Sequence, residues 1–350
     1  MLPSTEIDTS IPGEVPRRFV HDERVQLPDR VKRIVEARAD AVGFPALKRA
    51  AAEMSTAYRE GRAGSLKRLG AAERTAAYLV TRMPATYAAT YAALGEIDGR
   101  AIGSVLDVGA GTGAASLAVR QRYPEASITM IERDSAFAEA AREVVPDAKI
   151  VAADIAQMTQ FPEHDLVIAA YSLGELAGPV AQRLWKAARV ALVVIEPGSP
   201  AGFGVVRWVR DQLLAEGARM LAPCPAESAC PMAGAEWCDF GARVERSSLH
   251  RRVKGAELNY EDEKFSYVAL GREAGSLPAH RIIEHPVHTP GLIVLRTCTG
   301  GIRAGGGDEA IEGGVSGGAE GGVGREVVRD AARRGRLRSS RGGGRGRSCR

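Results

Sequence analysis

The sequence lacks the features of a membrane or secreted protein. No apolar run reaches the roughly 20 residues that a helix needs to cross a bilayer. The stretch from Met1 to Pro16 is polar and contains proline, without the basic start and apolar stretch of a secretory signal. We therefore predict a cytoplasmic protein that makes no contact with a membrane.

The body of the chain also lacks net charge. The chain carries 47 Lys and Arg against 43 Asp and Glu, a net charge of +4, but residues 299–350 alone hold 11 Arg against 6 Asp and Glu, a local charge of +5. The difference leaves −1 for the rest of the chain. A basic balance confined to the tail gives no reason to expect that the folded part binds nucleic acid through its overall charge.

The tail, residues 299–350, has no lysine, proline or aromatic residue and holds 17 of the 40 glycines. Such a segment cannot bury enough apolar surface to offset the entropy lost on ordering, so we predict that it is disordered. Arg341–Arg347 resembles an RGG-type RNA-binding tail, in which arginine neutralises phosphate. Alternatively, the reading frame has slipped in a GC-rich gene, an interpretation we favour because the composition changes abruptly after a complete predicted strand.

The N-terminal part divides into an extended arm, residues 1–30, and a helical domain, residues 31–98, that is rich in Ala, Arg, Glu and Leu. Pro84 interrupts an apolar stripe, so we predict a break there, with Pro84 in the first turn of a new helix. The helical domain either only packs on the next domain or helps to grip a substrate. Two stripes have helical spacing: Val31, Ile34, Val35 and Val42, then Ala76, Leu79, Val80, Met83, Tyr87, Tyr91 and Leu94.

Residues 101–298 alternate between short β-rich runs and helical stretches, a pattern typical of a doubly wound α/β sheet. The predicted strands are 104–108, 127–132, 149–152, 165–170, 190–195, 265–270 and 291–297, and the predicted helices are 113–122, 135–145, 179–188 and 203–217.

A glycine-rich turn follows the first predicted strand and opens a helix. It reads Val105-Leu-Asp107-Val-Gly109-Ala-Gly111-Thr-Gly113. The glycines permit a tight turn and close approach of a ligand, and the helix N-terminus offers free N–H groups to a carboxylate. Such a turn also binds NAD in other proteins, or occurs as a surface loop, so the flanking residues are needed to distinguish these possibilities.

Three flanking acids favour S-adenosylmethionine over NAD. Asp107 suits the amino group of the methionine moiety, Glu132 ends the second strand and suits both ribose hydroxyls, and Asp154 ends the third strand, beside the adenine. A pyrophosphate would be repelled by an acid at position 107. We predict a Rossmann-like class I methyltransferase domain, residues 99–298, with a cysteine-rich insertion at 222–240. Its sheet has seven strands, the last antiparallel.

The acceptor side of this crevice is less informative. The fourth predicted strand ends in Tyr171-Ser-Leu-Gly-Glu175, without the Asn/Asp-Pro-Pro-aromatic element of amino-directed base methyltransferases and without a nucleophilic cysteine. Glu175 and Glu196 are the candidate bases, and Tyr171 is a candidate for stacking. The alternative is that all three support the structure or the cofactor.

Four of the five cysteines form a constellation. Cys224, Cys230 and Cys238 stand in a proline-rich loop after predicted helix 203–217, and Cys298 closes the last predicted strand. Because that helix and the final antiparallel strand both run away from the cofactor edge, we expect the thiols to meet at the opposite edge of the sheet. Four thiolates suit a structural or regulatory Zn or a [4Fe–4S] cluster, and buried thiols without metal are the alternative.

One basic run stands in the folded body. Its functional interpretation is contact with an RNA backbone, and the alternative is a solvated surface. The candidate residues are Arg243, Arg246, Arg251, Arg252 and Lys254.

In combination, several segments resemble the methyltransferase-like proteins associated with the small ribosomal subunit, which occur in mitochondria, as assembly factors, and in bacteria. They are Tyr78-Leu-Val-Thr-Arg-Met-Pro-Ala-Thr-Tyr87, the glycine turn, Glu196-Pro-Gly, the Cys-Pro loop and Leu258-Asn-Tyr-Glu-Asp-Glu-Lys-Phe-Ser-Tyr267. The resemblance covers about residues 30–298. It implies an S-adenosylmethionine-type fold, association with small-subunit rRNA, and a [4Fe–4S] cluster on Cys224, Cys230, Cys238 and Cys298.

The resemblance also implies that some members do not transfer a methyl group, which agrees with the missing acceptor motif. The family continues past the last cysteine into a basic, tryptophan-containing end, whereas this chain has the Gly/Arg tail. We therefore predict an rRNA methyltransferase, or a methyltransferase-like assembly factor, that acts as a monomer. The alternatives are an inactive rRNA-binding scaffold and a small-molecule methyltransferase with structural zinc.

Overall fold

The computed structural model describes residues 25–60, 66, 68–174, 177–283, 287–289, 292–299 and 323–329. Most of the predicted arm, residues 1–24, therefore lies outside the described residues. The described chain begins with Val25, which bridges to Val244 and is followed by four helices: α1 (Asp29–Val42), α2 (Phe44–Arg59), α3 (Ala71–Thr81) and α4 (Met83–Gly95). The break lies where proline predicted it, with Pro84 in the first turn of α4.

Helix α4 is buried on almost all sides. Buried positions follow one another without interruption from Met83 to Thr90, as expected of a helix enclosed by other elements. Residues of the helices, such as Leu79 and Leu94, belong to the same apolar core as Val105 and Ile168 of the sheet. The helical segment is thus packed on one face of the sheet.

The α/β part has the strand order of a class I methyltransferase. In the described residues the main sheet runs β3-β2-β1-β4-β5-β8-β6, with β1 to β5 parallel and β8 antiparallel to β5. The strands are β1 (Ser104–Val108), β2 (Ser127–Ile131), β3 (Lys149–Val151), β4 (His164–Ala170), β5 (Ala188–Pro197), β6 (Arg219–Ala222), β7 (Phe240–Glu245) and β8 (Tyr260–Gly271). The helices are α5 (Ala114–Arg122), α6 (Ser135–Val144), α7 (Ala177–Ala187), α8 (Pro200–Ala215) and α9 (Ser248–Lys254).

The last predicted strand belongs elsewhere. The sequence places 291–297 in the main sheet, but β11 (Leu292–Thr299) lies in a second sheet with β9 (His280–Ile282), β10 (Val287–Thr289) and β12 (Val323–Arg329). The strand that completes the main sheet is β6, only four residues long. Both edges of β8 are filled, one by β5 and the other by β6 and β7, so no edge of β8 is left for β11.

Strand β12 lies in the tail that was expected to be disordered. It pairs antiparallel with β11, from Leu292 opposite Arg329 to Cys298 opposite Val323. The expectation is wrong for these seven residues, because the open edge of β11 supplies backbone partners that composition does not reveal. The flanking residues 300–322 and 330–350 lie outside the described residues.

The cysteine-rich segment leaves the sheet beside β8. Along its outer edge, β8 pairs first with β7, at 260–265, and then with β6, at 269–271. The chain from Pro223 to Asp239, which joins β6 to β7, therefore forms a loop next to the middle of β8. Among the described helices, none combines the length and apolarity that crossing a membrane requires.

Candidate functional site

The glycine turn joins β1 to α5, as the sequence predicts. Gly109, Gly111 and Gly113 have φ values of +74°, +56° and +83°, a backbone region that favours glycine. A Cβ on Gly109 would lie 2.6 Å from the Cβ of Ser172, whereas a Cβ on Gly111 would meet nothing closer than the Tyr78 hydroxyl at 4.0 Å. The turn is therefore packed against Ser172 at Gly109, whereas at Gly111 it has room for a ligand.

Asp107 stands under this turn. Only 1% of its surface is exposed, and its Oδ2 accepts hydrogen bonds from the backbone N–H of Ser116 at 3.0 Å and from the Ser116 hydroxyl at 2.6 Å. Burial raises the pKa of Asp107 to about 6, although the Ser116 hydrogen bonds act in the opposite direction. The carboxylate thus anchors the first turns of α5 to β1.

The two other predicted acids follow β2 and β3 at the same edge, Glu132 directly after Ile131 and Asp154 three residues after Val151. Glu132 accepts a hydrogen bond from the N–H of Gly111 at 2.8 Å and, through its second oxygen, from the N–H of Asp134 at 2.7 Å. Asp154 pairs with Arg133 at 2.8 Å and accepts from the N–H of Ala156. The carboxyl ends of the three strands therefore present three acids around one glycine turn.

Helix α3 adds side chains that sequence reasoning missed. Tyr78 approaches the glycine turn, its ring lies 5.1 Å from that of Phe137, and burial raises its pKa. Arg74 pairs with Asp134, the N-cap of α6, which itself touches Glu132. Arg74, Tyr78 and Arg82 are spaced i, i+4 and i+8, a signal that could have revealed one shared helix face.

The acceptor side is organised by Tyr171, directly after β4. It has a φ of +55°, the one non-glycine residue with positive φ among those described. Its hydroxyl donates to Glu263 Oε1 at 3.0 Å, and Arg82 pairs with the same oxygen at 3.3 Å. Glu263, on β8, is a further residue that the sequence did not single out.

Glu196, near the end of β5, is the predicted acid that remains at this edge. It is 4% exposed, and its Oε1 accepts from the N–H groups of Leu173 at 3.0 Å and Gly174 at 3.3 Å. Burial raises the pKa of Glu196 to about 7, in spite of these hydrogen bonds. The other candidate base, Glu175, lies outside the described residues.

The structure gathers the four predicted cysteines around one pocket, which is also lined by Arg210 and Arg281: Cys224, Cys230, Cys238 and Cys298. Burial raises the pKa of Cys298 to about 11 and also raises those of Cys224 and Cys238. In the part of the chain that the structure describes, no group of three or more His, Cys, Asp or Glu side chains is spaced to hold a metal ion as it stands.

The cysteines reach this pocket by a different route from the one expected. They do not lie at the opposite edge of the sheet, because β6 carries the chain back before the loop begins. The loop runs beside β8, where the Ser266 hydroxyl donates to the carbonyl of Cys238 at 2.8 Å. Ser266 is itself the register partner of Glu196, and Cys298 arrives from the second sheet, opposite Arg281.

Two acidic residues of β8, Asp262 and Glu261, form ion pairs with most of the basic run. Arg243 makes two hydrogen bonds with Asp262, at 2.7 and 2.8 Å, while Arg246 and Lys254 converge on Glu261, at 2.7 and 2.8 Å. The guanidinium of Arg252 lies over the ring of Phe44, 4.6 Å from its centroid. These pairs arise because β7 and α9 pack against the acidic start of β8, so the predicted RNA contact rests mainly on Arg251 and Arg252.

The model of the protein family described as Rsm22, mitochondrial small ribosomal subunit Rsm22, matches residues 72–304, more than half of the chain. No curated protein sequence matches the chain.

The solved structures to which the chain is similar include methyltransferases. A TehB-like SAM-dependent methyltransferase from Corynebacterium glutamicum has 16% identity and a TM-score of 0.34, covering 53% of this chain and 88% of that chain. Precorrin-6y C5,15-methyltransferase from Geobacter metallireducens has 15% identity and a TM-score of 0.36, covering 52% of this chain and 86% of that chain. At this similarity the fold rests on the strand order, and substrates do not carry over.

Proposed function

Because the chain belongs to the Rsm22 family, we propose that it is an S-adenosylmethionine-binding, methyltransferase-like protein that acts on the rRNA of the small ribosomal subunit. The observation that carries the cofactor part is the open glycine turn, with Glu132 and Asp154 in the segments that follow β2 and β3. The ribosomal part rests on the family.

The residues present fit this cofactor. Within 4 Å, a Cβ on Gly111 would meet only the Tyr78 hydroxyl, at 4.0 Å, so the turn leaves room for a methionine moiety near the N-terminus of α5. Glu132 would take the ribose hydroxyls and Asp154 the adenine. The burial of Asp107 changes its proposed role: it holds the first turns of α5, so that their N–H groups face the cofactor carboxylate, and does not itself bind the amino group.

Two versions of the function remain, an rRNA methyltransferase and a scaffold. S-adenosylmethionine supplies a methyl group when it is bound, and Glu196, with a pKa raised to about 7, is the described group suited to accept a proton at neutral pH. One observation favours the scaffold: Tyr171, Glu263 and Arg82 satisfy one another, and two backbone N–H groups hold Glu196. The candidate groups for an acceptor are engaged with the protein.

We propose further that Cys224, Cys230, Cys238 and Cys298 hold a [4Fe–4S] cluster. The four side chains line one pocket, and Arg210 and Arg281 on its wall would offset the negative charge of bound thiolates. The buried thiols must lose their protons and turn towards a common centre, so metal binding would be coupled to pH and to local ordering. When bound, such a cluster would hold together a loop and a strand from distant parts of the chain.

The experiment that tests the cofactor site is isothermal titration with S-adenosylmethionine, followed by methyl transfer to small-subunit particles. Binding with transfer supports the enzyme, and binding without transfer supports the scaffold. Absence of binding by the intact, folded chain contradicts the cofactor proposal. Co-sedimentation with small ribosomal subunits tests the partner, and failure to co-sediment favours a small-molecule methyltransferase.

A further inference from the structure

Besides the pocket lined by the four cysteines, a second cavity lies between the N-terminal helices and the β7–α9 corner. Its empty volume is about 580 Å³. Its walls are mainly apolar, from Leu27, Val35, Leu79 and Val80, and Leu249 lies beside them. The body of a ligand in this cavity would therefore be apolar.

Two buried polar groups in the wall of the second cavity have unpartnered atoms. His250 is 1% exposed, and neither of its ring nitrogens has a hydrogen-bond partner among the described residues. Oε2 of Glu245 is also buried without a partner there. A buried polar atom left without a hydrogen bond is costly, so these atoms call for a ligand that supplies the missing bonds.

Neighbouring charges do not satisfy His250. The nearest carboxylate, Glu261, is 3.8 Å from Nε2, too far for a hydrogen bond, and it is already held by Arg246 and Lys254. Burial lowers the pKa of His250 to about 4, with Lys254, Arg246 and Arg82 acting in the same direction and Glu261 against them. The imidazole is therefore neutral at pH 7 and offers one acceptor and one donor.

The charged residues around the cavity favour a ligand that carries a positive charge. Glu245 and Glu36 contribute two carboxylates, and the one lysine, Lys32, is shared with Asp29 and Gln26 at 3.3 and 3.4 Å. A phosphate or carboxylate would be repelled by Glu245, whereas an ammonium group donates several charge-assisted hydrogen bonds.

We propose that this cavity binds a small organic cation, a primary ammonium on a short apolar chain. The ammonium donates to Glu245 Oε2 and to the unprotonated ring nitrogen of His250, and the chain lies against Leu79 and Val80. Because Leu27, α3 and β7 all contribute to the wall, the bound cation would join the N-terminal helices to the edge of the sheet. The residues that line this cavity include none of the glycine turn, and neither Glu132 nor Asp154 is among them.

Calorimetric titration of the full chain with n-butylamine and with n-butanol tests the proposal. We expect saturable binding of n-butylamine at neutral pH and affinity lower by about tenfold or more for n-butanol, which has a similar size but no charge. NMR of the histidine ring nitrogens should show a shift of the His250 signals on addition of the amine, with the assignment made from His250→Gln. Equal affinity for both compounds, or no binding of n-butylamine, overturns the proposal.

The nearly isosteric variant Glu245→Gln removes the charge and keeps the volume. We expect it to weaken n-butylamine binding by about tenfold, whereas Glu125→Gln, a change at an exposed acid outside the cavity, leaves it unchanged. Unaltered binding in Glu245→Gln would contradict the site. Both variants should bind S-adenosylmethionine like the unsubstituted chain, so a failure of that cofactor to bind any of the three proteins bears on the proposed function alone.

Discussion

Tyr171 donates a 3.0 Å hydrogen bond to Glu263 and thereby ties the end of β4 to β8, two strands away in the sheet. The backbone of Tyr171 adopts a φ of +55°, and such a conformation persists only where surrounding contacts hold it. Arg82 joins the same carboxylate from α3. The acceptor edge of the sheet and the N-terminal helices are thus connected through one acid.

The first prediction concerns the Tyr171 hydroxyl. Tyr171→Phe should lower the free energy of unfolding by about 1–2 kcal/mol, because Glu263 loses a hydrogen bond in a largely buried place. Urea denaturation measures the change. The matched control is Tyr123→Phe, since the Tyr123 hydroxyl is buried with no partner among the described residues, and its removal should cost nothing. Equal effects of the two variants would contradict the role of the hydrogen bond.

The second prediction concerns pH. The pKa of Glu196 is raised in the folded chain from 4.5 to about 7, so the protonated side chain favours folding and the stability it contributes below pH 4.5 is lost as pH rises through about 7. Glu196→Gln keeps the acceptor oxygen for Leu173 and Gly174 and has no charge. Relative to this variant, the unsubstituted chain should lose up to about 3 kcal/mol between pH 4.5 and 8.

Urea denaturation of both proteins across that pH range measures the difference. Glu125→Gln, at an exposed position, should follow the unsubstituted chain at every pH. A constant difference between Glu196→Gln and the unsubstituted chain would show that Glu196 is ionised throughout.

The third prediction concerns the glycine turn. Gly109→Ala places a Cβ 2.6 Å from that of Ser172 and also holds alanine at a φ of +74°. We expect a loss of roughly 2–5 kcal/mol, the sum of backbone strain and overpacking, together with loss of cofactor binding. Gly99→Ala is the control for strain alone, because its φ is +88° and its Cβ would meet nothing within 4 Å.

A second change separates the two causes at Gly109. Adding Ser172→Gly removes the side chain that the new methyl group would strike, so the double variant should recover the overpacking part of the loss. Thermal unfolding of the single and double variants measures this coupling. Purely additive losses would show that Ser172 is not the obstacle.

The fourth prediction separates structural from RNA-binding arginines. Arg251→Ala with Arg252→Ala should weaken association with small-subunit rRNA and lower the dependence of the binding constant on salt. Arg246→Ala should instead lower stability, since Glu261 would keep only Lys254 as its charged hydrogen-bond partner. Filter binding at several salt concentrations and urea denaturation measure the two effects. A loss of rRNA affinity in Arg246→Ala alone would reverse the assignment.

The fifth prediction concerns the cysteines. Cys238→Ser, in a chain purified without oxygen, should abolish bound iron and sulfide and make the 223–239 loop sensitive to protease. Cys349→Ser, at the cysteine outside the proposed set, should leave both unchanged. Iron and sulfide analysis measures the outcome. Stoichiometric zinc in the unsubstituted chain would show that the four cysteines form a zinc site in place of the proposed [4Fe–4S] cluster. Absence of any metal would contradict both kinds of metal site.

The sequence by itself determined the alternation of helices and strands, the break before Pro84 and the glycine turn. Each depends on neighbouring residues: apolar spacing, the fixed φ of proline, and the positive φ that Gly109, Gly111 and Gly113 permit. These local signals also placed Glu132 and Asp154 at the side of the sheet where β2 and β3 end.

The tertiary structure alone decided which distant residues meet. It placed β6 beside β8 in the position expected for β11, brought Tyr78 and Arg82 to the glycine turn and the end of β4, and set Glu261 against Arg246. Strand pairing and ion pairs between segments far apart in the chain depend on which edges and faces remain free after the rest has packed. Local sequence patterns do not reveal which edges and faces remain free. For this reason the acids near the glycine turn were predicted from the sequence, whereas Tyr78 and Arg82 were not.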